Sequence, residues 1–278
     1  MVLNAIAGSD AADQATREAD RRRVDYVAGL NPNALRGRRI GVMRFAAGFG
    51  TNVQFEQALA TLRAQGATLV EITEFPNRQQ IGENEFPVLL AEFRDGLNRY
   101  LATTPPTVRT RTLADVIAFN REHASEEMSL FGQDIFEQAE RTRGLDDPAY
   151  RRARETSLRL AGPEGIDRLL RVHNVTALIG PTMPAAWFID AVHGDVIGGS
   201  GAGALAAVAG YPHLTVPMGN IRGLPVGLSF IGPRWSDALI LSLGYAYEQA
   251  SNRRIDPRLL PSIEEGPEVA PHLEPARR

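Results

Sequence analysis

The chain has 278 residues, a formal net charge of −3 and no cysteine. That length suffices for one large domain, or two small ones, with a sizeable core. The mildly acidic balance argues against a nucleic-acid partner or an anionic membrane surface. The lack of cysteine excludes thiol catalysis, disulfides and thiolate metal sites, and fits a reducing, cytoplasmic compartment.

All 30 basic residues are arginine. A lysine can serve as a base because burial lowers its pKa. Arginine stays protonated and cannot take that role. No apolar run is long enough to span a bilayer, the opening MVLNAIAG lacks the basic and apolar regions of a signal peptide, and no internal repeat is visible.

In chain order, residues 1–7 are apolar, with the pattern of the last turns of a helix, and Gly8-Ser9-Asp10 breaks them. Asp10 and Asp13 have no third ligand nearby, so they read as turn and cap residues. Residues 38–43 form a strand after the Asn-Pro-Asn turn. Residues 52–65 form a helix with Val53, Phe55, Leu59 and Leu62 as its apolar stripe, and residues 67–72 a second strand. This β-α-β unit favours a parallel pair. Gly41, Gly48 and Gly50 lack the spacing of a nucleotide fingerprint and read as turn residues.

From 86 to 101 a helix carries Leu89, Leu90, Phe93, Leu97 and Tyr100, and Pro105-Pro106 stops it. Thr112 caps the next helix, with Asp115 at the capping-box position. Residues 133–141 and 148–173 are helical, the second interrupted at Gly162-Pro163. Glu92 reads as a member of a core-edge network, with a substrate channel as the alternative. Residues 176–179 form a strand leading into Gly180-Pro181-Thr182-Met183-Pro184.

A glycine-rich turn at 198–203 then opens a small-residue helix over 204–209, with Gly210 as its C-cap and Pro212 as a stop. Two apolar strands, 214–218 and 226–231, flank a turn at 219–225 and read as buried on both faces. His123, His173 and His193 show no metal-ligand spacing, and His213 after Pro212 reads as structural rather than catalytic. Ser200 sits in a near G-x-S-x-G pattern with Ala202 at the last glycine, and is better read as a helix N-cap than as a nucleophile. Asp190 and His193 lie too close to it in sequence to assume a triad.

Several stretches carry a resemblance: AVAGYPHLTVPMG, GLPVGLSFIG and the helix ending YAYEQA, preceded by RRIGVMRF at 38–45, AEFRDGLNRYLAT at 91–103, RTLADVIAFN at 111–120 and ALIGPTMP at 177–184. In this order they resemble the C-terminal half of an amidase signature enzyme. The resemblance implies an α/β fold with a mixed sheet covered by helices. It implies hydrolysis of a carboxamide to an acid and ammonia, with no cofactor and no metal. The family's Ser-Ser-Lys triad lies in an N-terminal half that this sequence does not match, so no catalytic residue is assigned and the chain alone is expected to be inactive.

Pro181 and Thr182 match positions that approach the family's substrate pocket; a rigid proline turn is the other reading. The organisation implied is a partial amidase domain: a β-α-β part over 1–80, a helix-rich block over 81–174, a sheet-and-helix part over 175–250 and a tail over 251–278. The partners implied are a small-molecule amide and either a complementing polypeptide or a second copy. A piece of a split amidase, an A-type component of an amidotransferase and a non-enzymatic binding protein on the half-fold are the alternatives.

Overall fold

The computed structural model describes residues 1–188, 190, 192–195, 201–257 and 259. Two short helices, α1 (Val2–Ile6) and α2 (Ala19–Arg22), bury no residue. Between them Asp10 and Asp13 act as turn residues: their carboxylates accept from the backbone N–H groups of Ala12 and Ala15, both at 2.9 Å.

Strand β1 (Arg39–Met43), helix α3 (Asn52–Ala64) and strand β2 (Thr68–Ile72) form the expected unit, with β1 and β2 parallel. Phe55, Leu59 and Leu62 of α3 are buried, but Val53 is 65% exposed and does not belong to the stripe. Val53 sits in the first turn, two positions before Phe55, and residues two apart on a helix do not share a face.

Helix α4 (Arg78–Ala102) begins eight residues earlier than the sequence suggests and carries Pro87 inside it. A proline in a helix interior costs a backbone hydrogen bond, which is why the pattern reads as starting beside it. Of the apolar residues expected on one side, Leu90 and Leu97 pack inward against Leu113, Ile117 and Ala139. Leu89 and Tyr100 are largely exposed, and Phe93 lies at the margin of this cluster, 38% exposed and stacked on Phe136 at 5.4 Å. Gly96 lies in this helix, and a Cβ built there meets nothing within 4 Å. Gly96→Ala is therefore expected to stabilise the fold by about 0.5–1 kcal/mol, read from the denaturation midpoint.

Helices α5 (Leu113–Glu122), α6 (Ala124–Glu127) and α7 (Asp134–Glu140) follow. The capping box forms as expected: Thr112 Oγ1 accepts from the Asp115 N–H, and Asp115 Oδ2 accepts from the Thr112 N–H at 2.9 Å. Helix α8 (Pro148–Ala161) starts on the Asp147 cap and passes through a π-helical turn (Gly162–Ile166) into α9 (Asp167–Val172). Glu92 is paired on this side: the Tyr150 hydroxyl donates to its Oε1 at 2.7 Å and Arg154 Nε lies 3.1 Å away. Burial and that bond push the Tyr150 pKa up to about 12.

Strand β3 (Ala177–Pro181), helix α10 (Gly203–Ala209), strands β4 (His213–Ile221) and β5 (Leu224–Ile231), and helix α11 (Asp237–Ser251) complete the order. The sheet runs β2-β1-β3-β5-β4. Strand β1 is parallel to β2 and β3, while β3-β5 and β5-β4 are antiparallel. The turn between β4 and β5 is shorter than expected, because Arg222 and Gly223 both take positive φ (50° and 84°) and close a two-residue hairpin. Strand β5 lies between β3 and β4 and is mostly buried from Val226 onward. Strand β4 is an edge strand with alternating exposure, so the expectation of burial on both faces fails for it.

The sheet separates two cores. One face carries Ile40, Val42, Ile179, Leu228, Phe230 and Val216 against α3 and α11. The other carries Met43, Leu178 and Ile231 against α8, α9, α10 and the π-turn between α8 and α9. No helix among the described residues is long and apolar enough to cross a membrane.

Candidate functional site

The carboxyl end of β3 is where polar side chains converge. Pro181 is buried and its carbonyl accepts from the Ala202 N–H at 2.9 Å. Thr182 donates its N–H to the Gly227 carbonyl at 2.8 Å. These bonds hold the sequence before α10 and the start of β5 against the end of β3.

Small residues make this approach possible. A Cβ at Gly201 would overlap the Thr182 carbonyl, one at Gly227 would overlap the Thr215 and Thr182 hydroxyls, and one at Gly203 would come within 2.9 Å of the His213 ring. The small-residue helix does lie close to the sheet, as its composition suggests. Its N-cap position is Ala202, without a side-chain bond. Ser200 lies outside the described residues, as does most of the glycine-rich turn before Gly201.

Thr182 Oγ1 is 2.7 Å from Thr215 Oγ1 and 2.9 Å from Ser229 Oγ, and Ser229 Oγ is 2.7 Å from His213 Nε2. Four side chains from three strands or strand ends thus form one chain of hydrogen bonds. Each hydroxyl has one proton to donate, so the chain orders in one direction, set by whether His213 Nε2 accepts or donates. Ser229 is fully buried, whereas Thr215 and His213 reach solvent. The protein around the imidazole lowers the His213 pKa by desolvation.

A serine within hydrogen-bond reach of a histidine is the geometry of an activated nucleophile. Ser229 is sealed from any substrate, so here the pair orients Thr182 and Thr215. Sequence alone points to Thr182 and Pro181 but not to their supports. The signal was present: His213 and Thr215 alternate in β4, and Ser229 is the one hydroxyl in the run VGLSFI.

Asp190 and His193 do come together, with His193 Nδ1 3.1 Å from Asp190 Oδ2. N–H groups of His193 and Val192 lower the Asp190 pKa. Both side chains lie in one local turn at the surface.

Ser229→Ala is expected to cost about 1–3 kcal/mol, because it strips a partner from two polar groups at once. His213 also sets a pH dependence. Its native pKa lies below the ordinary 6.5, so the unfolded chain binds this proton more readily. The contribution to stability is complete above about pH 6.5 and is lost as pH falls from there towards the native value. Denaturation midpoints at pH 8 and pH 5.5 should differ in that sense, and the difference should shrink in His213→Gln.

The family model described as Amidase matches residues 1–241. The crystal structure of native peptide amidase from Stenotrophomonas maltophilia is 47% identical, with a TM-score of 0.81, covering 91% of this chain and 51% of that one. A "probable amidase" of Arabidopsis thaliana is 30% identical over 93% of this chain and 47% of its own length. A glutamyl-tRNA(Gln) amidotransferase component of Acinetobacter baumannii is 30% identical over 89% of this chain and 51% of its own. The chain spans about half the length of the curated relatives it matches. Motif order, mixed sheet and family match agree: the chain belongs to the amidase signature family.

Proposed function

We propose that residues 1–278 form the C-terminal part of a carboxamide hydrolase acting on peptide amides, and that they supply scaffold and one wall of the acyl pocket. The observation that carries this reading is the 47% identity with a peptide amidase across 91% of the chain. That exceeds the 30% shared with the amidotransferase component and favours simple hydrolysis over transfer to an aminoacyl-tRNA.

The catalytic Ser-Ser-Lys triad of the family is then supplied by sequence outside these residues, in the same polypeptide or a complementing one, since no lysine is present. The lysine and bridging serine activate the nucleophilic serine, which attacks the amide carbonyl. Backbone N–H groups stabilise the oxyanion, ammonia leaves, and water releases the acid. On this side of the pocket Pro181 fixes the backbone and Thr182 presents a hydroxyl held by Ser229 and Thr215. No cofactor or metal is needed for this chemistry, and cytoplasmic residence is part of the proposal.

The test is co-expression of residues 1–278 with the N-terminal half of the Stenotrophomonas peptide amidase. The two should co-purify and release ammonia from a peptide amide. In that complex Thr182→Val, which keeps the shape and removes the hydroxyl, should lower kcat/KM by about three- to tenfold, the worth of one hydrogen bond. A stable complex without ammonia release would refute the hydrolase reading.

A further inference from the structure

The parallel part of the sheet, β2-β1-β3, has a topological switch point. After β1 the chain moves to β2 on one side and later returns to β3 on the other. The segments leaving β1 and β3 therefore diverge, and crevices at such points, beyond the carboxyl ends of the strands, are where open α/β sheets bind ligands.

A cavity of about 120 Å³ occupies this position. Phe45, just after β1, and Phe75, after β2, stack at 5.6 Å and form one wall. Ile81 of α4 and Leu205 of α10 add to the apolar lining, and Gly201 and Ala202, docked on Pro181-Thr182, close it towards β3. Arg78 lines the same cavity and donates to the Phe45 carbonyl at 2.6 Å.

Glu85, one turn after Ile81 on α4, also lines the cavity. Among the described residues it has no hydrogen-bond or ion-pair partner, and burial alone raises its pKa. Its carboxyl is half-buried at the cavity wall and bonds to no described protein group, which leaves it open to a donor from a bound ligand.

We propose that this cavity is the side-chain subsite of the amide substrate: it takes a branched aliphatic side chain, and Glu85 accepts a hydrogen bond from the N–H on the substrate's α-carbon, a peptide N–H in a peptide amide and an amine in an amino-acid amide. This rests on the amide-hydrolase reading for the ligand class and adds a specificity element to it. A cavity of roughly 150 Å³ holds benzene, so one of about 120 Å³ suits a leucine- or valine-sized group and rejects an indole.

The proposal is tested by binding to the 278-residue chain, followed by two-dimensional NMR, so no turnover is required. Three probes are compared: L-leucinamide, 4-methylpentanamide (the same skeleton without the amine) and L-tryptophanamide. L-leucinamide should bind saturably, shifting the resonances of Phe45, Gly82 and Gly201, and at least tenfold more tightly than either of the others.

Gly82 lines the cavity from an exposed helical position where a Cβ meets nothing within 4 Å, so Gly82→Leu adds bulk beside the cavity while the fold persists. It should weaken L-leucinamide at least tenfold. Glu85→Gln should abolish the advantage of L-leucinamide over 4-methylpentanamide. No saturable binding of L-leucinamide, binding indifferent to Gly82→Leu, or an amine advantage that survives Glu85→Gln each overturns the proposal. Intact binding with no ammonia release from the complemented enzyme sinks the hydrolase reading and leaves the subsite standing.

Discussion

Purified alone, the 278-residue chain is expected to release no ammonia from aliphatic, aromatic or peptide carboxamides. Enzymes of ordinary efficiency accelerate their reactions by a million-fold or more, so the contrast with a complemented enzyme is the largest effect expected. The argument is chemical. A serine nucleophile needs a base within reach, and the chain has no lysine to serve as one. Its one described serine bonded to a histidine, Ser229, is fully buried. Among the described residues Asp190 and His193 form a second histidine pair, at the surface, and Ser200 is the serine that follows them in the sequence. Turnover that survives purification and disappears in Ser200→Ala would overturn the expectation and make Ser200 the nucleophile. The same preparation should self-associate in size-exclusion chromatography. Met1, Val2 and Ile6 are 92%, 73% and 73% exposed, and among the described residues no strand pairs with the outer edge of β4, which invites pairing.

Leu178→Asp is expected to destabilise the fold by about 4 kcal/mol or more. Leu178 is fully buried in the middle of β3, paired with Gly41 of β1 and Ile231 of β5. Gly41 has no side chain because Leu178 fills that space: a Cβ there would lie 2.8 Å from Leu178 Cδ2. An aspartate would leave a void and an unpaired charge in the apolar core, a loss of about 4 kcal/mol or more. That is a large share of the roughly 5–15 kcal/mol typical of a whole domain. Leu178→Val should cost only about 1 kcal/mol and serves as the control. Val42, Val216 and Leu228 are interior to the same sheet, and aspartate at any of them should act in the same direction. Circular dichroism and urea midpoints read all four.

The strands and the parallel pair were legible because β-branched and aliphatic runs bounded by glycine and proline leave few other readings. Gly210 as a left-handed C-cap (φ 68°) and the Thr112 box followed from local chemistry alone. Helix α4 was less legible. Pro87 hides its first turns, and its apolar residues are spread around the cylinder, so only tertiary contacts decide that Leu90 packs while Leu89 does not. The candidate site was half legible. Thr182 stood out by its place after a strand, but its neighbours Thr215, Ser229 and His213 reach it only through the register of β4 on β5. The cavity beside Glu85 joins segments from three distant parts of the chain, and no local pattern announces it.

The order in which the sheet assembles follows from its register. Strands β4 and β5 are joined by a two-residue turn and pair along nearly their whole length. Such a hairpin closes a minimal loop and forms on the microsecond scale. The pairing of β1 with β3 is the opposite case: Ile40 meets Ala177, across every helix from α3 to α9. During synthesis β1 and β2 leave the ribosome long before β3 exists, and at about 5–20 residues per second the wait lasts for several seconds. Through that interval the strand that will become the interior neighbour of β3 presents Ile40, Val42 and Met43 along an unpaired edge. The nascent chain is most vulnerable then, and slow decoding or chaperone depletion between β2 and β3 should reduce the yield of folded protein more than the same perturbation placed after β5.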